Sequence, residues 1–127
     1  MAKQIKKTKA LREVKKATVY IKSSFNNTIL SAVDENGGVI CWSSTGKAGF
    51  KGSKKSTPYA ATQAARILVD RMKEFKVEEI GIYIAGVSSG RDAAARAFGT
   101  AGFRINFIKD KTSIPHNGCR PKKPRRV

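Results

Sequence analysis

The stretch EIGIYIAGVSSGRDAAARAFGTAGFRINFIK, Glu79 to Lys109, decides the fold. Its opening, Glu79 to Ala85, is apolar enough for a central strand covered on both faces. Gly86-Val-Ser-Ser-Gly-Arg91 turns the chain, and a short helix follows over residues 91–100, built on Ala94, Ala97 and Phe98 and ended by Gly99 and Gly102. Phe103 to Lys109 then alternates and makes another strand. Strand, helix and strand in so short a space form a crossover unit, which requires parallel strands in one sheet.

Upstream of this unit, Thr57 stands as an N-cap with Pro58 at the first helical position. Ala61, Ala65, Leu68, Met72 and Phe75 recur three or four residues apart, so a helix with one buried stripe runs to about Lys76. Earlier still are three strands: Thr18–Ser24, Thr28–Val33 and Val39–Ser43. Asn26-Asn27 and Asp34-Glu-Asn-Gly-Gly38 are the turns between them, which makes an antiparallel meander. The order βββαβαβ predicts an α/β domain of three layers, α/β/α, with a five-stranded mixed sheet and helices on both sides.

The 127 residues suit one domain, and 40% hydrophobic residues suffice for its core. Charge is the anomaly, at +17 from 26 Lys and Arg against nine Asp and Glu. Residues 1–22 hold +7, residues 109–127 hold +6, and the 86 between them hold only +4. The division expected is therefore a basic N-terminal arm over 1–16, a core domain over 17–109 and a basic C-terminal tail over 110–127. Such ends lack apolar side chains to fold around and order on a polyanion, so nucleic acid is the implied partner. Nothing approaches the roughly 18–20 apolar residues of a membrane span. Cys41 and Cys119 lie far apart and His116 has no partner at a recognisable spacing, so neither a disulfide scaffold nor a zinc site is indicated. A reduced, cytoplasmic setting is the default.

Two segments carry the features of a phosphate site. In Gly86–Arg91, backbone N–H groups around Ser88, Ser89 and Gly90 lie at the positive end of the following helix, and Arg91 adds a guanidinium. A serine capping the helix is compatible with that role. In the glycine-punctuated loop Thr45–Ser56, Lys47, Lys51, Lys54 and Lys55 supply charge, while Phe50 reads as core. Tyr20, Phe25 and Trp42 also read as core, since no RNP-type motif accompanies them. Catalysis is not indicated. The first strand holds no carboxylate, and Asp70 and Glu74 stand beside Arg66 and Arg71 as surface pairs on a helix. No cofactor and no metal are expected. The rival readings are a free DNA-compacting protein and a metal-dependent nuclease.

The stretch Asp110-Lys-Thr-Ser-Ile-Pro-His-Asn-Gly-Cys-Arg-Pro-Lys-Lys123 resembles the signature segment of the S-eleven family of small-subunit ribosomal proteins. Phe25-Asn-Asn-Thr28, the run from Gly46 to Tyr59, Ala60-Ala61 and Gly86–Arg91 resemble the bacterial form of that family, in order and along essentially the whole chain. The end, Pro121–Val127, departs from the usual arrangement of prolines before the basic run but keeps the charge. The resemblance implies a ribonuclease-H-like sheet without nuclease activity. It also implies a structural place on the platform of the small subunit, bridging helices of 16S rRNA beside the cleft for the messenger leader. Implied neighbours are ribosomal proteins S-seven and S-eighteen, with initiation factor three and messenger RNA nearby. By matching position, the RNA-facing residues are Lys6, Lys7 and Arg12 in the arm and Asn26 and Asn27 in the first turn. To these it adds the four loop lysines, Ser88 to Arg91, and His116, Asn117, Gly118, Arg120, Lys122, Lys123, Arg125 and Arg126 in the tail.

Overall fold

The computed structural model describes residues 13–126. It contains five strands, β1 (Lys16–Ser23), β2 (Thr28–Val33), β3 (Val39–Ser44), β4 (Glu79–Gly86) and β5 (Arg104–Asp110). Two α-helices, α1 (Pro58–Glu74) and α2 (Gly90–Thr100), complete the expected order, with a short 3-10 turn over Gly52–Ser56. The helix start is set as the sequence implies: the Thr57 hydroxyl accepts the Ala60 N–H at 3.2 Å, with Pro58 next in line. At the other end Lys76 takes a left-handed φ of 59°, and the Val77 N–H reaches back to the Met72 carbonyl. Asp70 and Glu74 do not pair with Arg66 or Arg71; the ion pairs among the described residues are Glu13–Lys76 and Arg91–Asp110.

The sheet order is β3-β2-β1-β4-β5. β2 is antiparallel to β1 and β3, whereas β4 is parallel to both β1 and β5. Four strands therefore run one way and β2 alone runs the other. This is the α/β class and the mixed five-stranded sheet expected from the sequence.

The layering is more specific than helices on both sides. α1 lies against β2 and β3, α2 lies against β1 and β4, and the helices pack on each other. Both therefore cover one face. The reason is topological. The crossovers β3-α1-β4 and β4-α2-β5 move across the sheet in the same direction, so right-handed connections bring both helices to the same side. On the other side of the three-layer plan the described residues place side chains rather than a helix.

The covered face holds the core. Val19, Leu30, Ala32, Leu68, Met72, Ile80, Ile82, Ala94 and Phe98 are fully buried. Each large one contributes roughly 1.5–3 kcal/mol through burial. Ala60, Ala61, Ala64 and Ala65 on α1 are buried as well, and their small side chains let the helix sit close to its neighbours. β5 changes face part-way along. Ile80 pairs with Ile105 but Gly81 pairs with Phe107, so Asn106 is a bulge. Ile105 consequently faces α2, while Phe107 lies over Gly81 on the opposite face, where a Cβ on Gly81 would fall 2.2 Å from the ring.

Candidate nucleic-acid interface

Strand direction decides which loops share an end of the sheet. β1, β3, β4 and β5 all finish at one pole, so the turn Ser24–Asn27, the loop after Ser44, the turn after Gly86 and the tail after Asp110 gather there. Of the five parts that the sequence marked as RNA-facing, four thus come together. Lys6, Lys7 and Arg12, the core of the N-terminal arm, lie outside the described residues. The chain enters β1 at the opposite pole, where Glu13, Asp34, Glu35, Glu74, Glu78 and Glu79 are found at strand starts, hairpin turn and helix end. The described domain is thus polarised, with its carboxylates mostly at one end and its lysine-rich loop and tail at the other.

The basic pole is built around the adjacent ends of β1 and β4. Ser23 pairs with Gly86, whose φ of +97° leaves its Cβ position 1.8 Å from the Ser23 carbonyl oxygen, a place only glycine can occupy. The Ser23 hydroxyl donates to the Ser88 hydroxyl at 2.8 Å, and Ser88 Oγ also accepts the Gly90 N–H at 3.0 Å. Ser88 is therefore the serine that serves the start of α2; Ser89, at the N-cap position, makes no such bond and is exposed. Asn27 is likewise engaged. Its Oδ1 accepts the Thr28 N–H at 2.8 Å and the Thr45 hydroxyl at close range, tying the first turn to the lysine loop. Asn26 is exposed.

Arg91 reaches inward. Its Nη1 donates to the Gly86 carbonyl at 2.7 Å, and its Nη2 bonds Asp110 Oδ2. Asp110 Oδ1 accepts the Thr112 amide at 2.9 Å and its hydroxyl at 2.6 Å, while Thr112 Oγ1 accepts the Gly86 N–H at 3.2 Å. The Thr112 hydroxyl, followed by Arg91, holds the Asp110 carboxyl well below the usual carboxylate range. Together these bonds fasten the root of the tail to the end of β4.

Beyond this anchor, residues 113–126 have neither helix nor strand, and all are exposed. They include His116, Arg120, Lys122, Lys123, Arg125 and Arg126, with Asn117 in a left-handed turn (φ 63°) before Gly118. In the loop, Lys47, Lys51 and Lys54 are exposed and Lys55 is half-buried. None of the four pairs with a carboxylate among the described residues. Phe50 is half-buried, edge-on to the Tyr59 ring with centroids 5.9 Å apart.

Sequence reasoning mislaid the aromatic residues of the sheet. Tyr20, Phe25 and Trp42, expected in the core, are 44%, 75% and 48% exposed. Tyr20 and Trp42 stand on the face opposite the helices, and Phe25 projects from the first turn. The same open face carries Tyr83 and Phe107, which the sequence reading did not single out. Tyr83 stacks on Tyr20 at 5.2 Å and meets Phe107 at 5.2 Å. This ring stack, rather than a helix, covers the second face of β4. The signal that could have found it was Gly81, which leaves space on β4 beneath a neighbouring ring.

The profile of the family described as ribosomal protein S11 matches residues 17–126. The chain belongs to that family. Its relatives match over nearly their whole length. A Sulfurovum protein named small ribosomal subunit protein uS11 is 52% identical over 122 residues, covering 95% of this chain and 98% of its own. Proteins of the same name from Nautilia profundicola and Helicobacter pylori are 47% and 50% identical, covering 98% and 96% of this chain and 97% and 94% of their own. The S11 family match includes the meander, the lysine loop, the turn after β4 and nearly all of the tail. Among the described residues, no three His, Cys, Asp or Glu side chains converge as a metal site would require, and no helix is long and apolar enough to cross a membrane.

Proposed function

We propose that the protein is a structural constituent of the small ribosomal subunit, in the cytoplasm, that binds and bridges helices of 16S rRNA on the platform. The observation that carries this reading is the gathering of the lysine loop, the Ser88–Arg91 turn and the anchored tail at one pole, with most carboxylates at the other. Double-helical RNA hides its base edges in a deep, narrow groove, so contact is through shape, phosphates and 2′-hydroxyls. Lys47, Lys51, Lys54 and Lys55 neutralise phosphate. His116, Asn117, Gly118, Arg120 and the basic residues of the tail thread along RNA, as do Lys6, Lys7 and Arg12 of the N-terminal arm. Asn26 and Ser89 present polar groups to the same surface, whereas Asn27, Ser88, Gly90 and Arg91 shape it from within. Membership in the S11 family supports the wider setting: the cleft for the messenger leader, ribosomal proteins S-seven and S-eighteen beside it, and initiation factor three nearby. The role has no catalytic step.

Two measurements test this. With about six phosphates neutralised, log affinity for a 16S platform fragment falls against log salt with a slope near −4 to −5. A flat response overturns the phosphate mechanism. Removing residues 113–127, which follow the last anchoring bonds at Thr112, leaves the circular dichroism of the core intact and impairs incorporation into the subunit. Normal incorporation of the truncated chain overturns the role given to the tail.

A further inference from the structure

The open face of the sheet is ordered by its register. Trp42 pairs with Ser31, Ser31 with Tyr20, Tyr20 with Tyr83, and Tyr83 with Lys109. One row therefore crosses all five strands with three aromatic rings and a lysine. We propose that this face binds unpaired RNA bases, one of them inserted between Tyr20 and Trp42 above Ser31. The inference uses a sheet face whose rings the rRNA reading above does not need, sharing only Lys47 with it, and it applies to any exposed single-stranded loop.

Three observations carry it. The first is space. Tyr20 and Trp42 stand two strands apart, roughly 9.5 Å, with only a serine between them. Aromatic rings stack with centroids about 4.5–7 Å apart, so one planar base fits with a ring on either side. The second is rigidity. Tyr83 lies nearly parallel to Tyr20, at 17°, and Phe107 backs Tyr83, so the Tyr20 ring is held before any ligand arrives. The third is charge. Lys47 Nζ lies 4.2 Å from the Trp42 ring centroid, Lys111 Nζ 4.2 Å from that of Tyr83, and Lys109 Nζ 5.3 Å from that of Phe107. None of these lysines pairs with a carboxylate among the described residues. Glu79 stands at the far end of β4 and is bonded to Asn106 at 3.1 Å. Rings interleaved with unpaired ammonium groups fit a strand of bases and phosphates. An apolar protein surface would leave those ammonium groups buried without partners.

Trp42 is the only tryptophan of the chain, so the site contains its own reporter. The full-length protein is titrated at physiological salt with a short oligouridine, and separately with duplex RNA of equal phosphate number. Oligouridine is expected to quench Trp42 saturably, and Tyr20→Ala to weaken that binding about 5- to 150-fold, the range for loss of one base stack. Tyr20→Phe keeps it, and neither variant changes duplex affinity. Ser31→Glu, which fills the gap and adds a carboxylate without touching the core, weakens only the single strand. Oligouridine binding that leaves Trp42 fluorescence unchanged overturns the proposal, as does equal weakening of single strand and duplex by Tyr20→Ala. So does quenching by a polyglutamate peptide without quenching by oligouridine, which would give the face to an acidic protein. All three outcomes leave duplex binding by the unaltered protein standing, so they are distinct from failure of the rRNA reading.

Discussion

Gly86→Ala tests the joint on which the basic pole is built. Two separate penalties arise there. An L-residue held at φ +97° costs about 1–3 kcal/mol in backbone strain. The added methyl would also sit 1.8 Å from the Ser23 carbonyl oxygen, far inside the 3.0 Å that real Cβ contacts respect. Backbone cannot yield as a side chain would, so β1 and β4 must part at this pairing. The Arg91 and Thr112 bonds to Gly86 are then disturbed as well, each worth about 1 kcal/mol net. The expected loss is about 3–5 kcal/mol, a large share of the roughly 5–15 kcal/mol that holds such a domain together. Gly37→Ala separates the two penalties. Gly37 has nearly the same φ, +94°, but nothing lies within 4 Å of its Cβ position. It should lose only the backbone part, about 1–3 kcal/mol. Urea unfolding of the three proteins, followed by circular dichroism and extrapolated linearly, gives both values. Equal losses in the two variants would refute the argument that the Ser23 contact makes Gly86 irreplaceable.

Other outcomes follow from single groups. The folded pKa of Asp110 lies below the unfolded value of about 3.9, so its tether contributes fully above that pH and is lost only as pH falls through the folded value. The Thr112 amide resonance should therefore stay constant on acidification to about pH 4 and move below it; a midpoint near 4 would contradict the clamp. Burial pushes the Cys41 thiol up to about 11, whereas Cys119 is exposed. A thiol reagent at mild pH should modify one cysteine in the native protein and the second only after denaturation, and two fast thiols would show that Cys41 is reachable. Ser43 is fully buried and its hydroxyl has no hydrogen-bond partner among the described residues. Ser43→Ala should leave stability unchanged or raise it by up to about 1 kcal/mol, and a loss larger than that would reveal a partner.

Much of the fold was legible because local chemistry and tertiary demand agree. Thr57-Pro58 starts α1, Asp34–Gly38 closes its hairpin with the Asp34 carboxylate accepting the Gly38 N–H at 2.8 Å, and the β-branched runs become strands. The lysine loop and the tail were legible for the opposite reason: they have charge and almost nothing to bury. What the spacing of residues hid was the choice of face. In β1, alternation separates Val19 and Ile21 from Tyr20, but it does not say which set meets a helix. The common direction of the two crossovers answers that, and it needs the strand order. Phe103 just before β5 and Ile105 and Phe107 within it share one parity in sequence, yet the bulge at Asn106 sends Ile105 and Phe107 to opposite sides. Arg91 looked like a free guanidinium because its carboxylate partner is nineteen residues away, across an entire helix and strand.

The parallel run of β1, β4 and β5 sets a distance. The chain enters the sheet at Lys16 and leaves it at Asp110, on strands that point the same way, so entry and exit lie at opposite ends. Asp110 stands level with Ile84 and Ile21, five residues along from Lys16 and two strands across, so at about 3.3 Å per residue and about 4.8 Å per strand entry and exit lie roughly 19 Å apart. An antiparallel last strand would have brought both basic segments out side by side, to crowd one run of phosphates. As built, the domain is a ruler: RNA held from both ends of this protein must offer backbone at two places about that far apart, with the sheet fixing the interval.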